Sequence, residues 1–481
     1  MSDKLTTALA DFVTTTEYAS LPLEVVEYTK LVILDTLICG IAAGNEQRTR
    51  MMHKMLLGMG GNEESTVFGL DRRVPSAHAA MANAEAMNLL DADDTFFTTS
   101  HFAAFNVAAA LAEAQRAHSS GKDMILATAL GFDINARLNL ALQVIAESGD
   151  GSLRWAAVQG MGFATMGTAA TAAVIRKLSA RQMFDAFGIA SWIAPTPTAT
   201  TMSTRTRHPS FKYANYATTA QAGVLSAMFA EVGYQGEDAG GLDDDRFPIA
   251  QGCFSADSQL LLDELGTKWW ILETAIKLYP SCRYTHPPID MLKRLMKEGN
   301  LVADDIDKIT IFLNPMAYAL KIFREPPTSI DSDHCAPLTG AFHIPYVLAL
   351  VAHGIAPGPN WYNEANISDP KLWAFTKKVE TAENTSARSD VSQALRETRI
   401  RRFRKTPAKM TVLAGGKEFV CEAEYADGDP WTEDTKADWD KVSEKFVNFC
   451  GDFIPEETIF SIIEQIRYLE DIGDISNELR L

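Results

Sequence analysis

The densest acidic cluster in the chain is Asp91-Ala92-Asp93-Asp94-Thr95, and His101 follows it after the residues FFTTS. Aspartate and threonine are favoured at helix starts, so capping alone accounts for such a run. A carboxylate orienting His101 would instead make a proton carrier near neutral pH. Two lysines also sit in unusual company. Lys212, in HPSFKYANYATTAQAG, has no acid within ten residues on either side, and Lys277, in ETAIKLYPSCRYTHPP, lies on an apolar stretch. Lysines of this kind commonly snorkel, packing the stem and sending the ammonium to water. Facing a pocket, the same groups would hold substrate carboxylates and stabilise an enolate-like transition state. Arg283 and His286 follow Lys277 closely.

A third reading of the acidic run comes from its D-x-D-D spacing, which also occurs in helical class II terpene cyclases, where an aspartate protonates an alkene. Spacing leaves capping, cation generation and acid/base work open. His334-Cys335 matches no catalytic spacing, and no Cys/His set matches a zinc pattern. The chain has no G-x-G-x-x-G after a strand, no G-x-x-x-x-G-K-[ST], no G-x-S-x-G elbow and no H-E-x-x-H. Nucleotide, serine-hydrolase and zincin chemistry are therefore without support.

The elements that must position these groups are mostly helical up to about residue 270. The run LPLEVVEYTKLVILDTLICGIAAG starts at Pro22, carries a helical apolar stripe and stops at Gly44. Residues 77–90, 106–117, 123–142 and 214–232 are Ala-rich helical windows, which favour a tight bundle because small side chains let helix axes approach. Residues 155–175 carry no charge over 21 positions, but the stretch is mostly Ala, Gly and Thr, so a buried helix is expected rather than a membrane span. Beyond residue 270, KITIFL at 308–313 alternates, and residues 408–426 read as two strands around Gly415-Gly416. Residues 340–352 and 370–379 look helical, and the tail from Asp438 returns to helical periodicity. The expected fold class is mainly α: a large helical bundle domain over residues 1–270, an inserted α+β domain over 271–427, and a C-terminal return to the helical one over 428–481.

The 481 residues carry 44 Lys+Arg against 62 Asp+Glu, a net charge of −18, with 47% hydrophobic content. Fibrous and disordered classes are excluded, and a phosphate backbone would be repelled, so nucleic acid is not an expected partner. A small anion is not excluded, since it feels the cations lining its own pocket. Six cysteines without a C-x-x-C pair point to free thiols in a reducing, cytoplasmic compartment, and the N-terminus reads as neither signal nor transit peptide. No membrane association is expected.

LLDADDTFFTTSH followed by an Ala-rich helix resembles the (L/M)DxDDT…H segment of the 2-methylcitrate dehydratase and cis-aconitate decarboxylase family (MmgE/PrpD). Five further segments resemble the family in its order. They are the ILDT-bearing first helix, GTAATAAVIRKLSARQMFDAFGIA, FKYANYATTAQAGVLSAMFAEVGYQG, AIKLYPSCRYTHPPID, and SDHCAPLTGAFHIPYVLA, whose D-H-C is closest to the methylcitrate dehydratase branch. The resemblance implies a helical bundle with a smaller α+β lid, a homodimer, and a cleft between bundle and lid where metal-free, cofactor-free chemistry occurs next to a carboxylate. The family's reactions are dehydration of 2-methylcitrate, decarboxylation of cis-aconitate and epimerisation of iminodisuccinate. Position by position, the resemblance implies catalytic roles for Asp91, His101, Lys212 and Lys277 and a substrate contact for Thr95, with Tyr318 matched to a lid tyrosine. Arg283 and His286, close to Lys277, join them as candidate substrate contacts. Many members also carry a histidine at the start of the central helix; here no histidine stands between His118 and His208, which counts against decarboxylation. The expected activity is a lyase acting on a small di- or tricarboxylate, dehydration first, with isomerisation, decarboxylation and a non-catalytic descendant as alternatives.

Overall fold

The computed structural model describes residues 5–97, 100–147, 153–156, 161–196, 209–236, 241–243 and 246–481. The chain is mainly α. Its central helix is Leu23–Ala43, entered at Pro22 and left at Gly44, and it is buried on nearly every face from Val25 to Ala43. A helix apolar all round belongs in the middle of a bundle. The helices Ser76–Asn88, Ala103–Ala117 and Gly121–Ala141 pack on it, and Thr165–Arg176 and Phe211–Glu231 pack on these in turn. Their alanines and glycines set the spacing. Gly131 and Gly167 cross so closely that a Cβ on either would meet the other's carbonyl oxygen.

The charge-free stretch at 155–175 is not one helix. It begins at the end of the strand Leu153–Trp155, which pairs with Ile145–Glu147, and ends in the 3-10 turn Gly162–Ala164 and the α-helix Thr165–Arg176; residues 157–160 lie outside the described ones. Uniform small residues give no periodic signal from which to place that start. Among the described residues, no helix is long and apolar enough to cross a membrane.

The side chains gather into two cores. The first takes residues from Leu9 to Ile276, then Cys335 and Leu338, and then Ala437 to Leu479, where the helices Trp439–Cys450 and Glu456–Arg467 pack on Leu23–Ala43. The second takes Ile145 and residues from Tyr279 to Cys421. It is built on a four-stranded sheet in the order Val379–Glu383, Ile306–Leu313, Ala408–Ala414, Lys417–Ala423, the first pair parallel and the rest antiparallel. Gly415 and Gly416 join the last two strands with φ of 55° and 74°, the left-handed pair that a two-residue hairpin turn requires. The helix His286–Gly299 packs against this sheet and against the helix Ile344–Ala352.

Candidate active site

The acidic run lies where the helix Ser76–Asn88 ends and before the helix Ala103–Ala117 begins. Three devices fix it. Asp91 adopts the left-handed conformation with φ of 53°, which aspartate tolerates better than most side chains, and so turns the chain sharply out of the helix. Thr95–Phe96 then pairs with Thr274–Ala275, a two-residue ladder that brings Lys277 under the turn. Finally, Phe96, Phe97 and Phe102 pack with Phe132 and Trp270 at ring separations of 4.8–6.4 Å, anchoring both ends of the loop in the first core. Each buried phenylalanine contributes about 1.5–3 kcal/mol by leaving water.

Asp91 is the hub. Its Oδ1 accepts from the Lys277 ammonium at 2.6 Å, and its Oδ2 accepts from the Tyr213 hydroxyl at 2.5 Å and from the Lys212 ammonium at 3.4 Å. Lys277 also donates to the Asp91 carbonyl at 2.5 Å and lies 3.6 Å from Asp93, which in turn takes the Asn88 amide on both oxygens. Burial opposes ionisation of Asp91, but the two ammonium groups outweigh it and hold its carboxyl well below the usual carboxylate range. Burial pulls Lys277 down as well, yet Asp91 and Asp93 together keep it above the ordinary lysine value; Lys212, with weaker support from Asp91, is lowered by its burial. Lys212 starts the helix Phe211–Glu231 and lies 3.8 Å over the Tyr213 ring and 4.7 Å over that of Phe342, a residue of the second core.

His101 points the other way along the loop. Its Nδ1 donates to the Asp94 carbonyl at 2.5 Å, which leaves the lone pair on Nε2, and among the described residues Nε2 has no partner. Burial, with Lys277 adding, lowers its pKa below the ordinary imidazole value, so the ring rests neutral. The side chains of Lys212 and His101 keep 16% and 20% of their surface, whereas Lys277 keeps none. The accessible cation and the accessible base are therefore Lys212 and His101, and Lys277 holds the turn from below.

The other candidates divide. The Thr95 hydroxyl is buried without a partner among the described residues, while its backbone carries the ladder to Ala275. Arg283 pairs with Asp429 and reaches the Ala426 and Asp427 carbonyls, and His286 accepts from Arg283 at Nδ1 and donates to the Ser281 carbonyl at Nε2, so both stand in a closed cluster beside the hub. Tyr318 lines a separate cavity of about 180 Å³ with Arg324, Glu383 and Arg388. Asp94 receives the Phe102 and Ala103 amides and the Thr274 hydroxyl, which makes it the acid at the start of the Ala103–Ala117 helix. Burial and the charge of Asp93 push it up to about 7. Sequence reasoning passed over Tyr213 and Asn88, whose only signal was their nearness to Lys212 and Asp91. It also passed over Cys282, a thiol beside the two lysines that burial and Asp91 push up to about 12, keeping it protonated.

Among the described residues, two triads have metal-ligand atoms within 4.8 Å of one another, Asp93-Asp94-His101 and Asp333-His334-Cys335. In the first, Asn88, the helix amides and the Asp94 carbonyl already engage the ligand atoms, and the Lys277 ammonium stands where a cation would. In the second, an Asp333 oxygen accepts the Cys335 amide.

Residues 7–247 match the MmgE/PrpD N-terminal domain and residues 279–468 the MmgE/PrpD C-terminal domain, so the chain belongs to the MmgE/PrpD family. It is 26% identical over 466 residues to the human cis-aconitate decarboxylase, covering 94% of this chain and 89% of that protein. It is 25% identical over 480 residues to the mouse cis-aconitate decarboxylase, covering 95% and 89%.

Proposed function

We propose that the protein is a lyase acting at a carbon next to a carboxylate of a small di- or tricarboxylate, with dehydration of a 2-methylcitrate-like hydroxy acid as its reaction. The observation that carries this is the pairing of an accessible ammonium, Lys212, with a neutral, accessible imidazole, His101, on either side of the Asp91 turn. A substrate carboxylate docks on Lys212. Its α-proton passes to Nε2 of His101, and the charge that develops on the carboxylate is stabilised by Lys212. The C–O bond then breaks, and the leaving hydroxide takes the proton from the imidazolium to depart as water, so the enzyme returns to its starting state. Asp91 keeps Lys212 aimed and charged, and Tyr213 keeps Asp91 oriented. The part built on the second core serves as the lid, reaching the site through Phe342.

A neutral resting His101 favours a reaction that begins with proton removal. Decarboxylation of cis-aconitate, the reaction named for the two mammalian relatives, is the second reading; it begins instead with loss of CO2 and needs a proton delivered to the carbanion. The test is incubation with hydroxy-polycarboxylates and with cis-aconitate in deuterated water, followed by NMR. New alkene signals from a hydroxy acid support dehydration. Deuterated itaconate from cis-aconitate moves the assignment to the second reading. Deuterium at an α-carbon without a new alkene indicates epimerisation, and silence across the panel overturns the enzymatic proposal.

A further inference from the structure

The buried ion network continues past the residues that face substrate, into the C-terminal part of the chain. Lys445 lies on the helix Trp439–Cys450 with 1% of its side chain exposed. Its ammonium donates to Asp35 Oδ1 at 2.5 Å, to the Ala92 carbonyl at 2.6 Å, and to Cys39 Sγ at 3.5 Å, so each of its three protons has a direction. Asp35 and Cys39 stand one turn apart on the central helix Leu23–Ala43 and so present one face to it. Ala92 is the residue between Asp91 and Asp93, and the carbonyl just before it, that of Asp91, is held by Lys277 at 2.5 Å. Two consecutive carbonyls, that of the left-handed Asp91 and that of Ala92, are thus gripped by two buried ammonium groups. A third carbonyl of the same loop, that of Asp94, orients His101.

We propose that Lys445 is a positioning residue for the proton transfer, clamping the Asp91–Asp94 loop against Asp35 so that His101 keeps its Nδ1–H tautomer and its place. The proposal rests on His101 being the proton carrier, and it adds a requirement from the C-terminal helix that Lys445 meets without touching substrate.

The test uses the full chain with Lys445→Met, which keeps the stem and removes the charge, Lys445→Arg, which restores the charge, and Asp35→Asn, which keeps shape and an acceptor oxygen. Each is followed by thermal unfolding, by kcat and KM on the substrate found above, and by 15N NMR of the substrate-free protein, with the His101 signals assigned by their loss in His101→Gln. In folded Lys445→Met, kcat falls about tenfold or more while KM stays within about threefold, the scale of a small misplacement of a reacting group. The Nδ1–H signature of His101 is lost as well, and Lys445→Arg recovers part of both. A lower melting temperature with wild-type kcat and an unchanged His101 tautomer leaves Lys445 as packing only and overturns the proposal. Where Lys445→Met does not fold, Asp35→Asn decides: a shifted tautomer with lower kcat supports the clamp, and wild-type values for both overturn it. The NMR arm needs no turnover, so a wild-type protein inert on every polycarboxylate sinks the proposed reaction without touching the clamp.

Discussion

Two histidines on either side of Lys277 show how a site differs from a joint. His286 uses both ring nitrogens, one accepting from Arg283 and the other donating to the Ser281 carbonyl, and is wholly buried beside the Arg283–Asp429 pair. His101 uses one nitrogen, on the Asp94 carbonyl, and keeps 20% of its surface. Burial lowers both pKa values, and lowers His286 much further, with Arg283 adding to the effect. A perturbed pKa therefore does not separate them. What separates them is an unengaged lone pair at a partly exposed ring, which His286 has surrendered for rigidity and His101, the proposed proton carrier, has kept.

The contrast breaks most visibly by substitution at the two rings. His101→Gln is expected to lower kcat by about 10²- to 10⁴-fold with the fold intact by circular dichroism, as for other proton carriers. His286→Gln should leave kcat of the folded enzyme within about threefold, since it removes no interaction made in the transition state. Equal losses from the two would erase the distinction. Next comes Arg283→Met, which strands Asp429 in the interior and should cost about 3–5 kcal/mol of stability, read as a lower melting temperature with unaltered turnover of the folded fraction. Lys212→Ala is expected to lose about a hundredfold in kcat, or about 3 kcal/mol of transition-state stabilisation, with little change in melting temperature. Near-wild-type turnover would remove Lys212 from the site. Tyr213→Phe deletes a hydrogen bond to an ionised carboxylate, worth about 1.5–3 kcal/mol, and should slow the reaction by roughly tenfold or more.

The smallest effects are those of pH, and they sharpen the contrast because they act on different observables. In the proposed reaction His101 works as the unprotonated base, so kcat/KM should be flat near neutrality and fall only below the ordinary imidazole value near 6.5. His286 is held neutral in the fold, so the unfolded chain binds more protons as pH drops. Its contribution to stability is complete above its unfolded value near 6.5 and is lost as pH falls. His343, pushed down to about 4 by burial, acts in the same sense. His286→Gln should therefore make the acid limb of the melting-temperature profile shallower and leave the acid limb of kcat/KM where it was.

The sequence made the long elements and the polar run legible for different reasons. Leu23–Ala43 is bounded by Pro22 and Gly44, and the strands around Gly415-Gly416 alternate up to a turn that only a left-handed pair closes, so local signals coincide with the fold. Asp91, Lys212, Lys277 and His101 were visible as oddities of composition, and the structure brings them around one turn. Their ranking was not visible. Lys277 is saturated by Asp91 and Asp93 while Lys212 is not, and Asp94 serves helix amides, facts set by two-residue ladders and side-chain directions that no periodicity records. Lys445 gave no sign at all: on an amphipathic helix a lysine reads as solvated, and only the packing of that helix on the first core buries it.

The first core is filled by residues up to Ile276, takes Cys335 and Leu338 from the stretch that follows, and then waits for Ala437 and beyond. On a ribosome, everything from Tyr279 to Cys421 must emerge before the helix that reaches Asp35 and Ala92 is even synthesised. Throughout most of translation the acidic turn would thus lack the Lys445 ammonium, the last of its buried contacts to be synthesised.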